Sequence, residues 1–202
     1  MLRPVAAGFA LALILAPAAL ANPNNTDPAK VPAGAYALDG RHASLFVRVP
    51  HMGGFSHFVF RFDKLDGGFT YDPANWGATK VAITIDPASI ASNLPDFDKT
   101  IAGPDYLNAK KFPAITFTSS KVEAGADGKG TVSGDLTFLG VTKPVVLDVT
   151  FNGSGPGLLG AGTRMGFSGT TRIKRSDFGL TTMHEMAGDD LDLVFDVEFV
   201  KK

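Results

Sequence analysis

Residues 131–151, TVSGDLTFLGVTKPVVLDVTF, decide how this chain folds. Val132, Leu136 and Phe138 share one parity, with Gly134 between them, while Ser133, Asp135 and Thr137 share the other. Beyond Gly140-Val141-Thr142-Lys143, the residues Val145, Leu147, Val149 and Phe151 fall in phase again, opposed by Val146, Asp148, Thr150 and Asn152. Successive side chains of a strand point to opposite faces, so each arm has one apolar and one mainly polar face. The pattern predicts an antiparallel hairpin that turns over residues 140–143. Pro144 would start the second arm, where a missing N–H costs least. One face of this hairpin needs a core and the other meets water.

Working outward, the same alternation recurs at residues 42–49 (Leu45, Val47, Val49), 55–62 (Phe58, Phe60, Phe62), 67–71, 79–85, 114–122, 164–173 and 191–199. It lapses over residues 86–108. There Asp86 before Pro87 reads as an N-cap followed by a first-turn proline, and Pro95 opens a second short helix toward Ala102. Many evenly spaced strands with little helix predict an all-β sandwich or antiparallel barrel, closed at one end by the helical turns. Ten-residue strands span about 33 Å at ~3.3 Å per residue, enough to hold an elongated ligand.

Composition narrows the function classes. With 202 residues, 45% hydrophobic and 19% charged, the chain fits one folded domain. Sixteen Phe against three Tyr and one Trp point to an interior lined with rings that carry no polar handle. A formal net charge of −1 argues against a nucleic-acid surface. The absence of cysteine excludes disulfides, a thiol nucleophile, an Fe–S cluster and a lipidated N-terminal cysteine. Residues 1–21 read as a cleaved secretory signal, with Arg3 at its start, an apolar run over 5–15 and Ala19-Leu20-Ala21 as cleavage site. That run is shorter than the ~20 residues of a membrane span and is followed by Pro17, so no integral span is expected. The mature protein is expected in the periplasm. Residues 22–34, rich in Pro and Asn, read as a flexible leader to a barrel domain over 35–202.

At the hairpin, LTFLGVTKPVVLDV resembles the LT-x-x-G-V-T-K-P-V signature of the YceI-like family. Tyr36-x-x-Asp39-x-x-His42 and His51 resemble that family's opening, and Phe55-Ser56 and Phe62 its second strand. Leu107, Phe112, Pro113, Ile115, Thr116 and Phe117 resemble its central segment, Ile173-Lys174-Arg175-Ser176-Asp177-Phe178-Gly179 its late RSDFG motif, and Gly188-Asp189 the approach to its last strand. The resemblance implies an elongated, lipocalin-like antiparallel β-barrel, closed on one side by a helix, whose tunnel takes polyisoprenoids or fatty-acyl lipids without catalysis. The sequence departs from the family pattern at Ala43, where Ser is usual, at Phe60, where Gly is usual, and at Thr100, where His is common. Phe60 is expected to narrow the tunnel.

The candidate tunnel wall comprises Val47, Val49, Phe58, Phe60, Phe117, Leu136, Phe138, Leu147, Val149, Phe167, Leu193 and Phe195. Periodicity alone is equally met by a dry, packed core. Asp39, His42 and His51 could form a polar mouth that binds a head group, or could cap strand ends. Arg175 could bind an anion, or hold a turn together with Asp177. A His-based enzyme, with or without a metal on His42, His51, His57 and His184, and a ligand-free structural domain are the rival readings. Neither a G-x-S-x-G elbow nor a second helical His after His184-Glu185 is present, so those hydrolase signatures are void. No cofactor is called for, and pairing of two barrels into a homodimer is left open.

Overall fold

The structure is a computed structural model that describes residues 24–157 and 160–202. The signal segment 1–21 lies outside the described residues. Eight antiparallel strands close a barrel in the order β1 (Gly34–His51), β10 (Asp190–Lys201), β9 (Thr163–Lys174), β8 (Val141–Pro156), β7 (Lys129–Phe138), β6 (Ile115–Ala124), β4 (Lys80–Ile85) and β3 (Leu65–Tyr71), which returns to β1. The lower part of β1 pairs with β3 and its upper part with β2 (Ser56–Phe62). β2 in turn pairs with the two-residue β5 (Ile90–Ala91) through Arg61 and Phe62 only. Beside it, α1 (Pro95–Ala102) packs on the inward rings of β2: its Phe97 ring lies 5.4 Å from Phe58 and 6.0 Å from Phe60.

The hairpin forms with the expected parity: Gly134, Leu136, Phe138, Val145 and Phe151 are buried, and Asp135, Val146 and Asp148 are exposed. Its four-residue turn, 138–141, falls two residues earlier than expected. Phe138 pairs with Val141 across Leu139 (φ 52°) and Gly140 (φ 77°), the left-handed pair whose twist matches that of the arms. Pro144 therefore sits inside β8 opposite Asp135. It is tolerated because pairing of β8 with β9 starts only at Asp148, so no ladder needs its N–H.

β1 is longer than its alternation indicates. Tyr36 and Leu38 face inward at even positions, but Leu45 and Val47 face inward at odd ones, because the register with β10 shifts between Leu38 and Ala43. β1 takes five steps there where β10 takes two, and the odd excess of three residues inverts parity, which hides the continuous strand from a period-two reading.

The stretch expected to be a flexible leader is docked from Asn24 onward. Asn25 bridges to Ser154 in both directions at 2.8 Å, the Asp27 side chain caps the turn Pro28–Lys30, and Val31 is buried. Tyr71 donates its hydroxyl to Pro28 O (2.8 Å) and Tyr36 donates to Pro32 O (2.7 Å). The two phenols thereby satisfy their polar ends inside an aromatic plug of Tyr36, Phe69, Tyr71, Phe151, Met165 and Phe199. Burial pushes the Tyr71 hydroxyl pKa up to about 12 and raises that of Tyr36.

Candidate functional site

Two adjoining chambers occupy the barrel interior. The upper one, of about 420 Å³, is bounded by β1, β2, α1 and the segment between β9 and β10. The lower one, of about 190 Å³, lies against the aromatic plug. Leu45, Ile85, Leu136 and Leu193 line both and form the waist between them. The upper chamber alone falls within the ~300–1,000 Å³ typical of small-molecule sites.

The wall follows from strand parity. Val47, Val49, Phe58, Phe60 and Phe138 line the upper chamber, and Phe117, Leu147, Val149, Phe167 and Phe195 the lower one. Leu136 and Leu193 stand at the waist. Several inward residues, including Val49, Phe58, Leu147, Val149 and Phe195, are only half-buried although they point away from bulk water. A packed core would cover them; here they face open space. Two bare backbones help keep it open. A Cβ on Gly134 would lie 2.6 Å from the Phe117 ring, and one on Gly169 would overlap the ring of Phe195, its cross-strand partner. Both rings therefore lie back against the wall. Phe60 stays in the wall as well, its ring tilted against that of Phe58 at 4.6 Å beside α1.

The expected polar mouth is not assembled. His51, at the end of β1, lines the upper chamber. Asp39 and His42 lie in the β1 bulge itself, away from the chamber, where Asp39 accepts from His42 Nδ1 (2.9 Å) and Arg164 Nη1 (2.9 Å). These bonds, His42 first, hold the Asp39 carboxyl well below the usual carboxylate range. Arg164 also donates to Glu198 (2.8 Å). His42 and Arg164 border a separate polar groove of about 340 Å³ with Asn152, Asp196 and Glu198.

Arg175 is buried and makes no ion pair with Asp177; of its expected roles it takes the turn-holding one, through backbone carbonyls. Its Nε donates to Gly188 O (2.9 Å), Nη1 to Leu180 O (3.2 Å) and Thr182 O (2.6 Å), and Nη2 to Ala187 O (2.9 Å). The carboxylate that closes this turn is Asp189, which accepts from Ser176 N (2.9 Å) and Ser176 Oγ (2.8 Å); these contacts lower its pKa. Arg175 thus ties residues 180–188 over the upper chamber, which Met183 and Met186 line from that segment. Sequence reading missed these two methionines together with Phe97, Ile101, Tyr106 and Leu107. They sit in segments too short or irregular for periodicity, and the Pro95 helix start pointed only to the segment that carries Phe97 and Ile101. Among the described residues, no group of three or more His, Asp or Glu could hold a metal ion.

A UPF0312 protein of Vibrio cholerae is 41% identical over 169 residues, covering 83% of this chain and 87% of its own. The crystal structure of a Campylobacter jejuni YCEI protein superposes with a TM-score of 0.67 at 34% identity, over 73% of this chain and 87% of that one. A polyisoprenoid binding domain from Saccharophagus degradans shares the fold, with a TM-score of 0.63 at 19% identity over 84% of this chain and 99% of that one. The sequence model of the YceI-like domain matches residues 36–199, from the first tyrosine of the aromatic plug to the last strand, and the chain belongs to this family.

Proposed function

We propose that the protein is an exported, non-catalytic carrier that encloses one long apolar molecule, a polyisoprenoid or a fatty-acyl lipid, in its two chambers. The observation that supports this most is the lining: the lower chamber is almost wholly hydrocarbon, and the upper one adds only His51, Tyr106, Arg175 and Thr182 as polar side chains. Arg175 and Thr182 already bond to backbone carbonyls, and the Tyr106 hydroxyl to Met183 Sδ. Such a wall offers little for chemistry and much for tail burial. The Saccharophagus domain of the same fold is named for polyisoprenoid binding.

A magnitude sets the ligand length. Each buried CH₂ contributes about 0.8 kcal/mol, against an association cost of ~4–15 kcal/mol. Only a tail that reaches through the waist offsets that cost comfortably. Titration with isoprenoid alcohols of increasing length tests this. Affinity should rise as tails reach the lower chamber, and Leu193→Trp at the waist should erase the gain for long tails while short ones bind as before. Length-independent affinity would reject the reading. We place this activity in the periplasm, after cleavage near Ala21, on the strength of the signal-like residues 1–21. N-terminal sequencing of the protein from its host checks that placement.

A further inference from the structure

Five of the large apolar side chains that stand in solvent gather at one place. Leu94, Met183 and Met186 line the upper chamber and are 48%, 39% and 44% exposed. Met52 donates its N–H to Met186 O at 2.8 Å, which sets the β1–β2 tip beside them. At that tip Phe55 is 89% exposed, carried on Met52, Gly53 and Gly54, all at positive φ. Three segments far apart in sequence therefore ring the mouth of the chamber with Phe, Leu and Met.

The geometry points to a lipid bilayer as the partner of this rim, with Met52 and Phe55 entering the headgroup region and the chamber mouth seated on the membrane. Two observations favour a bilayer over a protein. The mouth opens inside the patch, so a protein seated there would stopper the chamber, whereas a bilayer both covers the rim and is a source of long apolar molecules. The tip itself, residues 48–57, carries exposed Arg48 and no carboxylate, whereas Asp96 and Glu185 stand on the other two rim segments; an anionic headgroup is therefore favoured at the tip, where Met52 and Phe55 enter. This inference rests on the carrier reading for its purpose and on the rim alone for its binding.

Flotation of the full mature protein with vesicles tests it, using phosphatidylethanolamine with phosphatidylglycerol in one set and phosphatidylcholine alone in the other. Wild type should partition more strongly to the anionic vesicles. The double variant M52S/F55S, whose residues do not line either chamber, should lose about tenfold or more of that partitioning, given the apolar area withdrawn. Its melting transition should be retained. So should uptake of a soluble apolar dye, 1-N-phenylnaphthylamine, by the chamber. Equal vesicle binding by variant and wild type, no vesicle binding by wild type, or a concentration-dependent dimer that the variant abolishes while vesicle binding persists would each overturn the inference. Vesicle binding that depends on Met52 and Phe55 without any dye uptake would uphold the docking surface and defeat the carrier reading.

Discussion

At the lower end of the barrel, Tyr36 stacks on Phe69 at 5.3 Å, Phe69 meets Phe199 edge-on at 4.8 Å, and Tyr71 meets Trp76 edge-on at 5.2 Å. Over them lies a strap whose Val31 is 2% exposed. At the upper end, closure depends on one eight-residue helix and on a segment held by the carbonyls that Arg175 gathers. One end is sealed by interlocking rings and the other by parts with few neighbours and exposed apolar tips. Regions with few buried contacts open at lower free energy than a ring-packed core. The contrast assigns permanence to the bottom and easier opening to the top.

The largest test of that contrast removes a ring from each end. Phe69→Ala should cost about 3–5 kcal/mol, the range for a buried aromatic, while Phe58→Ala, half-buried beside α1, should cost about 1–2 kcal/mol. Urea unfolding measures both, and equal losses would break the comparison. Next, Arg175→Met should destabilise by about 2–3 kcal/mol through carbonyls left without donors. Amide exchange should quicken in residues 180–188 and leave the aromatic plug unchanged. Tyr71→Phe removes only the bond to Pro28 O and should cost about 1 kcal/mol, exposing residues 24–33 to proteolysis first.

The smallest effect is a pH dependence. The Asp39 carboxyl titrates well below its unfolded value of about 3.9. Its bonds to His42 and Arg164 therefore contribute in full above that value and are lost as pH falls through the folded one. Asp39→Asn should lower Tm by about 2–4 °C at neutral pH and should flatten the fall in Tm under acid. A variant as acid-sensitive as wild type would remove Asp39 from the account.

Much of this architecture was legible because β7, β9 and β10 alternate without a break, and β6 and β8 do so as far as Ser119 and Phe151; Leu136, Phe138, Leu147 and Val149 owe their inward direction to parity alone. Parity carried no information about whether the interior is filled. That depends on where the rings of Phe117 and Phe195 lie, and so on Gly134 and Gly169 across the ladder. Three features were illegible for separate reasons. The bulge between Leu38 and Ala43 inverts the phase of β1 and carries Asp39 and His42 away from the chamber that His51 lines. The strap bonds through proline carbonyls, which leave no apolar pattern. The mouth is made by Met183 and Met186 in a segment without periodicity, placed by Arg175 through backbone contacts.

The central claim is that the two chambers hold one long apolar molecule. Native mass spectrometry of protein purified from its own host without delipidation tests it most directly. The account predicts a single added mass per chain that collisional activation releases as a neutral or singly charged lipid, and that is lost in Leu193→Trp for the longest species. A bare polypeptide mass, together with no uptake of long isprenoid alcohols or fatty acids on incubation, would contradict it.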